Sequence, residues 1–578
     1  MSCLRPRPAS SLLLTRTLIV FGCLAPFSNE IPAPAFSAEI LAIVPRDLVG
    51  AIDPWMAKRN AEGLRVHVMR PQATAEATRR TIQDAWHRST RYVVLFGDAP
   101  AVQSHPDLNR QIPTHYRPTF VTKAFGSTTT FATDWPYADR NDDGVPDAAL
   151  GRVPVSDPRQ LASLLERIDA YESSDDFGPW RRSIQLTGGV GGFGGIVDTA
   201  IESVTRNMLT ACLPTEVKPQ IAYASPGHPM CPPGDDFRAA VVERFQKGAQ
   251  FWVYAGHGRV TQLDLLRRVE KASRGPALSR VQAGVRGDWN VESLFTSENA
   301  NLLSTGPQRA PIALLLACYA GAFDAHVDSI GESILFAPGG PVSVIAATRV
   351  TMPYGNARFT LGLMRAAYPD KEARVRPIQS LRLGDIVVQA MTELHDDTGV
   401  VVANDLTTSL VDSLATVMNP SNTTIGDERR EHAELYQLLG DPTLKIRQPK
   451  RLELSVEKTE ASDNALATSA RHRLDIAVRS PIDGRIFLTI DRSLGAKEPQ
   501  PGIVGVLAPE DPKSQSSSWE FDAHQRTIAS KQLRVAAGSE HWLSIAVPNE
   551  VTGQVTVRGH VEGEADWATA AQRVVLVR

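Results

Sequence analysis

Several things are scarce in this chain, and each scarcity narrows the reading. Charge is nearly balanced, with a formal net charge of −3 over 578 residues. No basic excess points to nucleic acid, and no acidic block reads as a tail. There is no internal repeat and no low-complexity tract. Beyond the N-terminus no run is long and apolar enough for a membrane helix. Cysteine is rare: there are five, and Cys3 and Cys23 lie in an N-terminal stretch that reads as an export signal. The remaining Cys212, Cys231 and Cys318 are odd in number, so an exported form keeps at least one free thiol.

The export reading rests on Arg5, Arg7 and Arg16, followed by the apolar stretch "TLIVFGCLAPF". That stretch is too short to cross a bilayer and matches a signal h-region. "APA" at 33–35 and "FSA" at 36–38 are cleavage candidates, which sets a signal peptide at 1–38. "VFGC" around Cys23 has the outline of a lipoprotein box, but Phe21 fits it poorly. The expected destination is secreted, periplasmic or cell-surface.

The rest of the chain is long enough for two to four domains at roughly 100–200 residues each. "AEILAIVP", "LRVHVMRP" and "RYVVLFGDAP" are short apolar strands separated by helical stretches. Alternation of this kind predicts an α/β fold with a parallel sheet covered on both faces. The pattern pauses near Ser173–Trp180, which places an N-terminal α/β subdomain at 39–175. A second α/β round, 176–447, contains the strands "QFWVYAGHG", "IALLLACYAG" and "PVSVIAATRV", a polar insertion at 259–310, and a mainly helical end at 359–446. From 450 to 578, short alternating segments between turn residues predict an all-β sandwich.

Two strands end in reactive side chains. His257 lies between Gly256 and Gly258, and Cys318 precedes a Gly-containing turn. Functional groups in open parallel sheets sit at carboxyl strand ends. Neighbouring strands would bring the imidazole and the thiol to one edge, as a thiol nucleophile with a general base requires. The Gly258 and Cys318 amides then offer an oxyanion hole. The competing reading is a buried, inert Cys318 beside an incidental loop histidine. Cys212 and Cys231 flank a Pro/Gly-rich loop and could pair in an oxidising compartment.

The blocks "YAGHG" and "LLACYAG" resemble the His-Gly and Ala-Cys blocks of caspase-like cysteine peptidases, and within them the gingipain family. "YVVLFGDAP", "DWPYADRNDDGVPDAALGRVPV", "RIDAYE" and "YQLLGDPTL" are similar to that family's surrounding blocks in the same order. The resemblance runs over roughly 40–446, and the C-terminal sandwich fits the family's immunoglobulin-like appendage. It implies a caspase-like parallel-sheet sandwich in two subdomains and a secreted endopeptidase, with Cys318 as nucleophile and His257 as general base. Asp198 falls at the position of the acidic residue in the pocket for Arg or Lys. It is equally a cap or macrodipole partner at a helix start. Thr187 stands where the family has the acid that orients the histidine, with Asp134 and Glu292 as substitutes to consider.

Two further motifs complete the reading. In "DRNDDGVPD", Asp139, Asn141, Asp143, Val145 and Asp147 have the spacing of a calcium loop. Position twelve is Leu150 rather than Glu, and a solvated turn is the other reading. "GGVGGFGG" at 188–195 lacks the Lys-Ser/Thr of a phosphate loop and reads as a loop bordering the cleft. Arg267, Arg268, Arg274, Arg280 and Arg286 in the insertion suggest an autoprocessing or gating segment. The expectation is a monomeric cysteine endopeptidase acting on protein or peptide, needing no cofactor for chemistry, with calcium as a structural ion. The alternatives are a non-catalytic exported binding protein on the same fold, and a transpeptidase or amidase.

Overall fold

The computed structural model describes residues 38–192, 213–225, 236–268, 289–368, 381–395, 423–460, 470–492, 526–548 and 551–576, with isolated residues between 198 and 232 and between 411 and 415. The expected signal segment, Cys212, Arg274, Arg280 and Arg286 lie outside the described residues.

Ten strands form one sheet: β1 (Ile40–Ile43), β2 (Val66–Met69), β3 (Tyr92–Phe96), β4 (Ala149–Val153), β5 (Ser183–Gly188), β6 (Lys218–Tyr223), β7 (Phe251–Ala255), β8 (Ile312–Leu316), β9 (Ser343–Ala347) and β10 (Tyr436–Leu439). Their order is β2-β1-β3-β4-β10-β9-β8-β7-β5-β6. Strands β1, β3, β8 and β9 are buried at every position and, Ser343 apart, apolar, as a sheet covered on both faces requires. One hydrophobic core runs from Ala38 to Ile446 around this sheet.

The sheet is mixed rather than purely parallel. β10 is parallel to β4 but antiparallel to β9, and it joins the N-terminal strands to the others. Its sequence sits in a stretch that reads as helical. Helix Ile425–Leu435 does precede it, but "YQLL" is buried throughout and Gly440 ends it with φ of 145°. The family-like blocks around the sheet have structural work. Asp134 and Arg152, from opposite ends of "DWPYADRNDDGVPDAALGRVPV", pair at 2.6 Å in the interior. Asp441 of "LLGDPTL" accepts from Arg59 at 2.8 Å and from Trp55 at 2.6 Å.

The insertion is not simply a polar loop. Gly258–Arg259, Gln262–Arg268 and Trp289–Thr296 pair as a three-stranded antiparallel sheet. Leu263, Leu265, Leu294 and Phe295 from it enter the main core. Beyond residue 450 the chain is all-β. A five-stranded and a three-stranded sheet, built from strands between Lys450 and Leu576, share a separate core of Leu474, Ile476, Ile486, Leu488, Val557 and neighbours. Among the described residues no helix is long and apolar enough to cross a membrane.

Candidate active site

β7 and β8 are parallel neighbours, with Ala255 opposite Leu316. The Gly256 N–H donates to the Leu316 carbonyl at 3.2 Å just past the ladder. His257 and Cys318, each two residues past this register pair, therefore leave the same edge of the sheet side by side. The glycines are required by contact. A Cβ on Gly258 would stand 3.0 Å from the Cys318 carbonyl oxygen and 2.8 Å from the Ala317 Cβ. A Cβ on Gly256 would stand 2.6 Å from the Tyr254 hydroxyl oxygen. That hydroxyl is shared between the carbonyls of His257 at 2.8 Å and Asp264 at 2.6 Å. Burial drives the Tyr254 pKa far up, so it stays an O–H donor.

The imidazole is oriented by the main chain. Its Nε2 lies 2.7 Å from the Gly191 carbonyl, which accepts only, so Nε2 carries the proton and Nδ1 holds the lone pair in the neutral ring. Thr187 does not fill this place. It lies on β5 opposite Tyr254, and its hydroxyl accepts from Trp252 at 3.2 Å. Asp134 is bound to Arg152 and Thr114, and Glu292 pairs with Arg267 at 3.6 Å. Gly191 belongs to the glycine-rich segment, which runs from β5 to the edge where His257 emerges. A carbonyl contact has no residue-type signature, so only that position hinted at it.

Cys318 accepts an N–H from Thr351 at 3.4 Å. Burial raises its thiol pKa, the Thr351 contacts work against that rise, and the charge of Asp264 adds to it. The resting group is thus a thiol that needs a base. Asp264, which sequence reasoning did not single out, is fully buried, donates its N–H to the His257 carbonyl at 2.9 Å and pairs with Arg259 at 3.4 Å. After Cys318 the chain turns sharply: Tyr319 has φ of 59°, a left-handed conformation costly for a non-glycine residue. Its N–H donates to the Arg349 carbonyl at 3.0 Å, and its hydroxyl accepts from Thr128 at 3.3 Å. Arg349 is itself clamped by both oxygens of Asp324 at 2.8 and 2.6 Å.

Asp198 stands near β6. Burial, then the charges of Glu202 and Asp198, push the Tyr223 hydroxyl up to about 12, which puts both carboxylates within electrostatic reach of the carboxyl end of that strand. Glu202 also lies 3.1 Å from His228.

The calcium-like loop is closed by its own amides. Asp139 accepts from the N–H groups of Asp142 at 2.7 Å and Gly144 at 2.9 Å. Asp143 accepts from Val145 N–H at 2.8 Å and from Asn141 at 2.8 Å, and Asp147 from Arg140 N–H at 2.8 Å. Among the described residues no group of three or more His, Cys, Asp or Glu side chains is placed to hold a metal ion. In this arrangement the five residues form turns closed by their own amides.

A thiol and an imidazole brought to one sheet edge, beside a sharp turn, are the parts of a cysteine-dependent acyl-transfer site. The profile of Peptidase family C25 matches residues 33–447. The chain is a cysteine peptidase, and it belongs to that family. Among solved structures it is similar to the Arg-specific cysteine proteinase gingipain R (RgpB), at 15% identity and a TM-score of 0.48, over 94% of this chain and 98% of that one. The complex of Porphyromonas gingivalis RgpB pro- and mature domains matches at 15% identity and a TM-score of 0.47, over 93% and 100%. Dimeric latent PorU from Porphyromonas gingivalis matches at 12% identity and 0.31, over 93% of this chain and 43% of that one. A search of curated proteins finds no match.

Proposed function

We propose that the protein is an exported cysteine endopeptidase that works through Cys318 and His257. The observation that carries this is the register of β7 against β8, which aligns Ala255 with Leu316 and so sets both side chains at one edge. In this reading Nδ1 of His257 takes the thiol proton as Sγ attacks the scissile carbonyl. The Gly191 carbonyl stabilises the imidazolium through Nε2–H, the part a carboxylate plays elsewhere. The Gly258 and Cys318 amides face the developing oxyanion. The imidazolium then protonates the leaving amine as the C–N bond breaks, leaving a thioester, and water attacks that thioester with His257 again as base.

Asp198, with Glu202 beside it, gives the end of β6 a negative character suited to an Arg or Lys side chain. This supports cleavage after basic residues. The paired sheets after residue 450 support an immunoglobulin-like sandwich, and the charged-then-apolar N-terminus supports export.

The test is labelling by a peptide-based, thiol-reactive probe with a basic residue at the cut position. Labelling is expected in wild type, absent in Cys318→Ala and strongly slowed in His257→Ala. Asp198→Ala is expected to lose the preference for the basic probe while keeping reaction with a neutral one. Equal labelling of wild type and His257→Ala would refute the dyad.

A further inference from the structure

The C-terminal unit rests on the peptidase unit through one polar face. Asp491 accepts from Lys218 at 3.2 Å, from Arg558 at 2.7 Å and from Thr527 at 2.6 Å. Arg558 also donates to the Thr215 carbonyl at 2.8 Å, and His560 Nε2 donates to the Phe177 carbonyl at 2.7 Å. Beside this satisfied bridge lies a group of buried donors with nothing to bond. Arg182 is 4% exposed, and its Nε and Nη1 have no partner among the described residues. Arg181, also 4% exposed, has an unpartnered Nη2, and buried Trp567 an unpartnered Nε1.

Arg181 and Arg182 are consecutive at the end of the turn Pro179–Arg182, and the charges of both act on His560. The guanidinium groups of Arg181 and Arg447 lie 5.1 and 5.2 Å from the centre of the Phe177 ring, whose carbonyl holds His560. The His560 ring lies 5.4 Å from that of Trp567. Three of the carboxylates at hand are already used, and a fourth, Glu562, faces Gly178. Asp491 serves Lys218 and Arg558, Asp176 serves Arg309 and Trp180, and Glu172 serves Lys58 and Arg59. Burial lowers the Arg182 pKa to about 10, and the nearby Arg558 adds to the fall. Buried charges in native proteins are paired, and a cluster of orphaned donors calls for an acceptor.

We propose that this junction binds a small oxyanion of the hydrogen phosphate class, held by Arg181, Arg182 and Trp567. Its oxygens accept from the guanidinium and indole N–H groups. His560 specifies the proton on the ligand: with Nε2–H given to Phe177, its Nδ1 lone pair is left without a partner and accepts an O–H. Sulfate offers no such proton. The ion would act as a rivet between the two units.

The experiment is thermal unfolding of the full chain titrated with phosphate, sulfate or chloride at matched ionic strength. Phosphate is expected to raise Tm saturably and by more than sulfate or chloride. Arg182→Met, which keeps the apolar stem, is expected to lose that gain. An equal response to all three salts, or an unchanged phosphate response in Arg182→Met, overturns the proposal. If the variant does not fold, wild-type crystals grown with arsenate decide it. Anomalous signal within hydrogen-bond distance of Arg182 supports the site, and its absence there overturns it.

Discussion

Gly258→Ala tests the proposed site through one methyl group. The added Cβ would stand 3.0 Å from the Cys318 carbonyl oxygen and 2.8 Å from the Ala317 Cβ. Carbon–carbon contacts are comfortable only from about 3.5 Å, so the strand ends must part by about 0.7 Å. Neither neighbour can swing away, because one is main chain and the other is a methyl on the sheet edge. Gly258 is not among the glycines with positive φ, so the effect is steric and not conformational strain. Productive constellations tolerate about 0.5 Å, and a 1 Å misplacement lowers rate about 100-fold. The expected loss in kcat/KM is therefore about 10- to 100-fold. Overpacking should lower stability by about 1–3 kcal/mol, which for roughly 400 residues moves Tm by only about 1–3 °C. The assay is hydrolysis of a fluorogenic peptide with a basic residue at the cut position, alongside the rate of Cys318 alkylation by iodoacetamide. Unfolding melts separate misplacement from unfolding. Activity and alkylation both within about threefold of wild type would refute the reasoning that Gly258 holds the two strand ends together.

Further outcomes follow from the charges. Asp264 raises the Cys318 thiol, so Asp264→Asn is expected to move the pH midpoint of alkylation downward; an upward move would show that its charge does not reach the sulfur. For Asp491, burial acts to raise the pKa, but Lys218 and Arg558 overcome it and hold the carboxyl at about 2. A depressed folded pKa stabilises above the unfolded value, so about 2 kcal/mol is present above roughly pH 4 and is lost as pH falls through 2. Asp491→Asn should cost about 3–5 kcal/mol near neutral pH, since it strands two cations, and should flatten this acid limb in urea titrations. Chelation with EGTA is expected to leave Tm unchanged, because the carboxylates of Asp139, Asp143 and Asp147 are capped by amides within their own loop. A clear fall in Tm would restore calcium to that loop.

Much of the arrangement was legible where residue type decides it. The all-apolar strands and the helical spacing of Leu161, Leu164, Leu165 and Ile168 announced a covered sheet, and these four leucine and isoleucine side chains are buried. His257 and Cys318 stood out because each follows an apolar run and adjoins small residues. Their adjacency was not legible, because it depends on β7 and β8 being neighbours across an insertion of some fifty residues. The insertion itself read as polar. Its charged residues hid three short strands that bury Leu263, Leu265 and Phe295. The orienting group was looked for among side chains, at Thr187, Asp134 and Glu292, whereas the atom on the ring is a peptide oxygen. Any residue can present one, so composition is silent about it.

The place of β10 bears on how the molecule is made. This strand is the last of the sheet to be synthesised, yet it lies in the middle, between β4 and β9. Until residue 439 has emerged, the two halves have no common seam, and β4 and β9 each keep an open edge. Contacts this distant in sequence slow folding and leave hydrophobic edges exposed meanwhile. A nascent chain therefore cannot lock into its final form from the N-terminus forward. It has to stay pliant until almost its whole catalytic part exists.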